Sequence, residues 1–219
     1  MNLVTDPTGE KVVDYLTTVL KEKLQSGKSV LWLVPGGSAM SSASHVLDQL
    51  EDVDTSKLCI TLTDERYGAP GHDDENWSQL GRLGFVLDSI DAYRVLRGED
   101  SKTTADDFNS KLEEFFATYQ YKIGLFGIGA DGHTAGVKPY SVAATSSDLA
   151  VCFSGEDFER VTMTAEAIRR LDEVVAYARG KDKHTTLREI LQEDRTVEEQ
   201  PAQVLKEVNQ STLFSDLKL

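Results

Sequence analysis

The run GIGADGHTAG, residues 127–136, sets Asp131 and His133 two positions apart among four glycines. An imidazole titrates near neutrality and can take a proton from water at physiological pH, while a neighbouring carboxylate can orient it. Glycines around such a pair let the backbone pass close to a ligand. Earlier in the chain, TDER brings Asp64, Glu65 and Arg66 directly after an apolar run, where charged groups face solvent or a ligand. The Arg66 guanidinium suits a phosphate, a carboxylate or a developing oxyanion, and either carboxylate can hold Arg66 or His133 in place. Pro35-Gly36-Gly37-Ser38 follows another apolar run. It offers backbone N–H groups and a hydroxyl to a phosphate at a helix start, or simply a turn with Ser38 as N-cap. No Gly-Lys-Ser/Thr follows, so this is not a Walker loop. His72, Asp73 and Asp74 are metal-ligating types, but nothing else has metal spacing, and no metal is expected.

Each of these loops needs an element behind it. Val12, Val13, Leu16, Val19, Leu20 and Leu24 recur at helical spacing after Asp6-Pro7, and Gly27 ends that helix. Ser29–Val34 and Leu58–Thr63 are continuously apolar short strands, of the kind covered on both faces in a parallel sheet. A helix carrying Ala43, Val46, Leu47 and Leu50 separates them, and residues 64–75 read as a polar loop before a helix near Asn76. Tyr93–Leu96 reads as a short strand, Thr103 or Thr104 as the cap of a helix to Tyr119, and Tyr121–Phe126 as a buried strand. Further on, LAVCF, RVTMT and VVAYA read as strands, Ala165–Leu171 and Lys183–Leu191 as helices, and QVLKEV as a last apolar run. Strand–helix alternation predicts an α/β fold, a mainly parallel doubly wound sheet with helices on both faces, in one domain over residues 1–219. Ligands of such sheets sit beyond the C-terminal strand ends, so loops 35–38, 64–76 and 127–139 are expected on one rim.

The chain carries 37 acidic and 23 basic residues, a formal charge of −14, which argues against nucleic acid or an anionic membrane as partner. An anionic metabolite would have to be met by local Lys, Arg and N–H groups acting against that field. The two cysteines, Cys59 and Cys152, lie in apolar runs and read as buried free thiols of a reducing compartment. With no membrane-length apolar stretch and no leader-like N-terminus, a cytoplasmic location is expected.

The motif GIGADGHTAG-VKP resembles the G-x-G-x-D-G-H-T-A-S-x-F-P signature of the 6-phosphogluconolactonases, whose close relatives are the glucosamine-6-phosphate deaminases/isomerases. The likeness extends, in order, through PGGS, TDER with Asn76, Arg160-Val161-Thr162-Met163-Thr164, VVAYARGKDK and Gln200-Pro201-Ala202. It implies a modified Rossmann-like fold and hydrolysis of 6-phosphogluconolactone to 6-phosphogluconate in the oxidative pentose phosphate pathway, with a phosphorylated sugar lactone as partner and no cofactor. Carried over position by position, His133 would be the general base and Asp131 would orient it or bind sugar hydroxyls. Arg66, positioned by Asp64, would bind substrate and steady the developing charge; Gly36, Gly37, Ser38 and Lys183 would hold the phosphate. Arg160 faces that phosphate or forms a strand-edge ion pair. Where the family pattern has Ser-x-Phe-Pro, this chain has Gly136-Val137-Lys138-Pro139, and Lys138 is read as a surface residue. The alternatives carried alongside are a deaminase/isomerase-like enzyme and a sugar-phosphate binder without turnover.

Overall fold

The computed structural model describes residues 1–87, 90–155 and 157–218. The first half contains β1 (Asn2–Thr5), α1 (Glu10–Gln25), β2 (Val30–Val34), α2 (Met40–Asp48), β3 (Leu58–Leu62), β4 (Asp64–Arg66), α3 (Asn76–Arg82) and β5 (Asp91–Tyr93). The second contains α4 (Ser101–Thr118), β6 (Tyr121–Phe126), α5 (Val142–Thr145), β7 (Ala150–Ser154), β8 (Glu159–Met163), α6 (Ala165–Arg169), β9 (Glu173–Tyr177), α7 (His184–Gln192) and β10 (Gln210–Ser215). Short 3-10 turns occupy Gly37–Ala39, Lys181–Lys183 and Pro201–Glu207.

Seven strands form one sheet in the order β1-β10-β9-β6-β2-β3-β5, and every pairing in it is parallel. All residues of β2, β3 and β9 are buried, as largely apolar strands covered on both faces are, and the buried charge of β9, Glu173, accepts from the hydroxyls of Tyr15 and Tyr121. The mainly parallel α/β expectation therefore holds. Trp32, Phe108 and Phe126 are among the largest side chains in the core, and each fully buried Leu or Val there contributes roughly 1.5–3 kcal/mol. The register pairs Val34 with Leu62 and Phe126 with Ala176, so the loops after β2, β3, β6 and β9 leave the sheet at the same edge.

Asp64–Arg66, read from sequence as loop, is instead the first strand of a separate sheet, β4-β8-β7, with antiparallel pairing throughout. Three residues are too few to display a period of two, and only pairing with β8 makes them a strand. The hand-over between sheets happens at Thr63, which is fully buried. Its N–H donates to Val34 O at 2.9 Å, in the large sheet, while its carbonyl accepts from Met163 N at 3.0 Å, in the small one.

Elsewhere the differences are local. The helix to Tyr119 begins earlier than expected, because Asp100, not Thr103 or Thr104, is its N-cap and accepts from Thr103 N at 2.8 Å. The strand expected at Tyr93–Leu96 is centred earlier, at Asp91–Tyr93. QVLKEV lies mostly in the 3-10 turn Pro201–Glu207, and two strands not expected from sequence pair with each other, β1 before α1 and β10 after that turn. Cys59 is buried as expected, whereas Cys152 is only half-buried.

Candidate active site

The loops at that edge enclose a cavity of about 350 Å³. Gly36, Gly37, Ser38, Asp64, Arg66, His133, Arg160 and Lys183 all line it, so eight of the nine residues singled out from sequence meet there. Asp131 does not line it; it stands behind His133.

His133 is placed by a loop tied down on several sides. Thr134 Oγ1 donates to Gly127 O at 2.9 Å, and Gly136 N donates to Thr162 Oγ1 of β8 at 3.1 Å. Thr186 Oγ1 of α7 donates to Ala130 O at 2.5 Å, and Ala202 N to Gly132 O at 2.9 Å. Within this frame Asp131 Oδ1 accepts both His133 N–H, at 3.1 Å, and Nδ1–H, at 2.5 Å. That bond fixes the ring tautomer and leaves Nε2 as the nitrogen without a proton. First the bond from His133, then the charges of His133 and Lys138, hold the Asp131 carboxyl well below the usual carboxylate range. The imidazole lies directly over Gly129: a Cβ there would come within 2.2 Å of Nδ1 and Cε1.

Arg66 and Arg160 are paired residues on adjacent antiparallel strands. Like charges opposite one another cost stability unless anions or aromatic faces intervene. Phe158 supplies such a face, with Arg66 stacked at 4.6 Å and Arg160 at 5.7 Å from its ring centre. Arg160 also forms a two-pronged ion pair with Asp157, at 2.7 and 2.8 Å, so the strand-edge ion pair is present while the residue still borders the cavity. Arg66 approaches Asp74 at 3.8 Å. Asp64 is not among its ion-pair partners; the Asp64 carboxylate accepts from Thr63 Oγ1 at 2.9 Å. Burial pushes the Asp64 carboxyl up, against the pull of Arg160, His133 and Arg66.

Ser38 is exposed and caps neither the 3-10 turn nor α2, so its hydroxyl stays available to a ligand. The neighbouring Gly36 is needed for a close approach, because a Cβ would come within 2.5 Å of Asn76 Nδ2. Asn76, buried in the cavity wall, donates Nδ2–H to Asp64 O at 3.0 Å and thereby ties β4 to the start of α3. Lys183 closes the 3-10 turn after β9, which Asp216 tethers by accepting from Gly180 N at 3.2 Å and pairing with His184 Nε2 at 2.9 Å.

Two lining residues were missed or misplaced in the sequence reading. Asn76 was noted only as part of a motif. Lys138 is not a surface residue: its side chain is 28% exposed, borders the cavity, and brings Nζ to 3.2 Å from His133 Nδ1. Four cations thus surround the cavity, Arg66, Lys138, Arg160 and Lys183, against one carboxylate, Asp64. Three of the four face carboxylates outside the lining, Arg160 with Asp157, Lys138 with Asp131 and Arg66 with Asp74. Among the described residues no group of three or more His, Cys, Asp or Glu is arranged to hold a metal. His72 Nε2 instead meets Arg66 O at 3.0 Å. Nor is any described helix long and apolar enough to cross a membrane.

Glu65 points away from the cavity and fastens its wall. Its carboxylate accepts from Asn76 N at 2.6 Å, Trp77 N at 3.1 Å and Arg66 N at 2.8 Å. Complete burial outweighs these bonds and lifts the carboxyl from about 4.5 to about 8. Between those values the folded chain keeps a proton that the unfolded chain releases, so stability falls as pH rises through the window. Asp64 acts in the same direction. The thermal midpoint is therefore expected to drop by roughly 5–10 °C from pH 5 to pH 9. Glu65→Gln, which mimics the protonated carboxyl, should flatten that slope while lowering the midpoint at pH 5, because its NH2 faces the Trp77 N–H. A midpoint equally pH-dependent in both proteins would show that Glu65 does not carry the proton.

Residues 5–214 match the family model described as glucosamine-6-phosphate isomerases/6-phosphogluconolactonase. The chain is 28% identical over 162 residues to a 6-phosphogluconolactonase of Synechocystis, covering 68% of this chain and 67% of that protein. It is 29% identical over 185 residues to one of Neisseria meningitidis, covering 80% and 78%. In fold it is similar to the crystal structure of a 6-phosphogluconolactonase from Shewanella baltica, with TM-score 0.82, 20% identity and coverage of 98% and 97%. The Thermotoga maritima 6-phosphogluconolactonase structure gives TM-score 0.81 at 23% identity, with 97% of each chain covered.

Proposed function

Because the chain belongs to the glucosamine-6-phosphate isomerase/6-phosphogluconolactonase family, we propose that it hydrolyses 6-phosphogluconolactone to 6-phosphogluconate. The observation that carries this reading is the Asp131–His133 pair, set in the wall of a cavity ringed by cations. The phosphate lies against the N–H groups of Gly36–Ser38 and the Lys183 ammonium, as an anion does at a helix start. His133 Nε2 takes a proton from water, the water oxygen bonds to the lactone carbonyl carbon, and the resulting oxyanion faces Arg66. The ring C–O bond then breaks and the proton passes from His133 to the departing ring oxygen. A lactone is already activated, so base, oriented water and oxyanion partner suffice, and no covalent nucleophile is used.

The reading is tested with freshly generated lactone, each rate corrected for spontaneous hydrolysis in a blank without protein. A rate far above blank, with no turnover of glucosamine 6-phosphate, supports it. A rate equal to the blank removes it, and turnover of glucosamine 6-phosphate would move the assignment to the deaminase/isomerase side of the family.

A further inference from the structure

We infer that Lys138 is a positioning residue for the base, holding the second oxygen of the Asp131 carboxylate and placing a fixed positive charge beside the imidazole. Asp131 divides its oxygens: Oδ1 takes both His133 donors, while Oδ2 faces Lys138 Nζ at 3.4 Å. Nδ1 already spends its proton on Asp131, so the 3.2 Å approach of the ammonium joins two donors and is no hydrogen bond. Both converge on one carboxylate, which fixes its plane and with it the ring.

Lys138 also borders two cavities, the site itself and a neighbouring one of about 590 Å³ lined by Asp131, Pro139 and Phe153. Its side chain stands in the partition behind the base. In a chain with 23 basic residues against 37 acidic ones, spending a lysine here, partly buried, has a specific electrostatic consequence. A cation so close opposes a second positive charge on the ring. The other charged groups around His133 are Asp131 on its own loop, Asp64 and Arg66 on β4, Arg160 on β8 and Lys183 after β9. None of these except Asp131 is recorded in contact with the ring, so Lys138 is the cation that acts on it at short range.

The activity part of this inference rests on the hydrolase reading; the electrostatic part does not. The test compares wild type, Lys138→Met, which keeps the aliphatic stem, and Lys138→Arg, which keeps the charge. In Lys138→Met the acid limb of kcat/KM is expected to move up by about half to one pH unit. At the optimum kcat should fall several-fold with KM little changed, and Lys138→Arg should restore the limb. An unmoved limb, a limb moved down, a shift that arginine leaves in place, or a rise in KM alone would each overturn the assignment. The ring protons of His133, one of four histidines, are followed in parallel by NMR in the free protein and assigned by their loss in His133→Asn. Their titration should show the same upward shift in Lys138→Met. Such a shift in a protein without lactone hydrolysis would keep the role of Lys138 and discard the reaction; hydrolysis with an unmoved titration would do the reverse.

Discussion

His133→Ala is expected to lower kcat/KM for 6-phosphogluconolactone by about 10²–10⁴-fold, the usual contribution of a placed general base. The fold should survive the change. The His133 side chain is 32% exposed, and Asp131 keeps the backbone N–H of residue 133 and Lys138 as partners. The loop itself is held by Thr162, Thr186 and Ala202 through bonds to its backbone, not to the ring. The thermal midpoint therefore serves as the control, and only a loss of rate at an unchanged midpoint speaks to catalysis. Activity within a few-fold of wild type would mean that some other group activates the water. Asp131→Asn should cost less, since an amide can still place the ring yet cannot answer the charge that develops on it.

Gly129→Ala should be nearly as damaging, although it adds a single methyl group and removes nothing. The methyl would lie 2.2 Å from two atoms of the His133 ring and 2.6 Å from Asp131 Oδ1. The backbone cannot yield, because Gly129 N donates to His133 O at 2.9 Å and its carbonyl accepts from Gly132 N at 3.0 Å. The half-exposed ring is the part that moves. The loss in kcat/KM is expected to approach that of His133→Ala, about 10²-fold or more. The two changes act through the same group, so the double variant should be no worse than His133→Ala alone. Fully additive losses would place the effect of Gly129→Ala outside the base.

The sequence showed which loops would converge on one rim, because glycine, carboxylate and imidazole follow apolar runs that read as interior strands. Asp131, His133 and the Gly36–Ser38 turn were legible for that reason, and so were the parallel sheet and its rim. Asp64–Arg66 was not legible as a strand, since its pairing partner is β8, nearly a hundred residues away along the chain. Lys138 was misjudged for a related reason. Its position depends on a turn fixed by Thr162, Thr186 and Ala202, and nothing within a few residues of Lys138 announces that fixing. The role of Glu65 was likewise hidden: from sequence it was one of three charged residues in a loop, and only burial makes it the clamp at the head of α3.

The hand-over at Thr63 has a mechanical consequence. One buried residue is bonded by its N–H to the large sheet and by its carbonyl to the small one, immediately before the charged residues of β4. It works as a rivet, and a riveted joint has no swing. Substrate capture by closing one sheet over the other, as in hinged enzymes, would have to be absorbed by the φ and ψ of this one buried residue or break one of its two bonds. The backbone at Asp64, Arg66 and Arg160 should therefore superpose closely between empty and filled forms, leaving the opening and shutting of the cavity to side chains and to the loops at its rim.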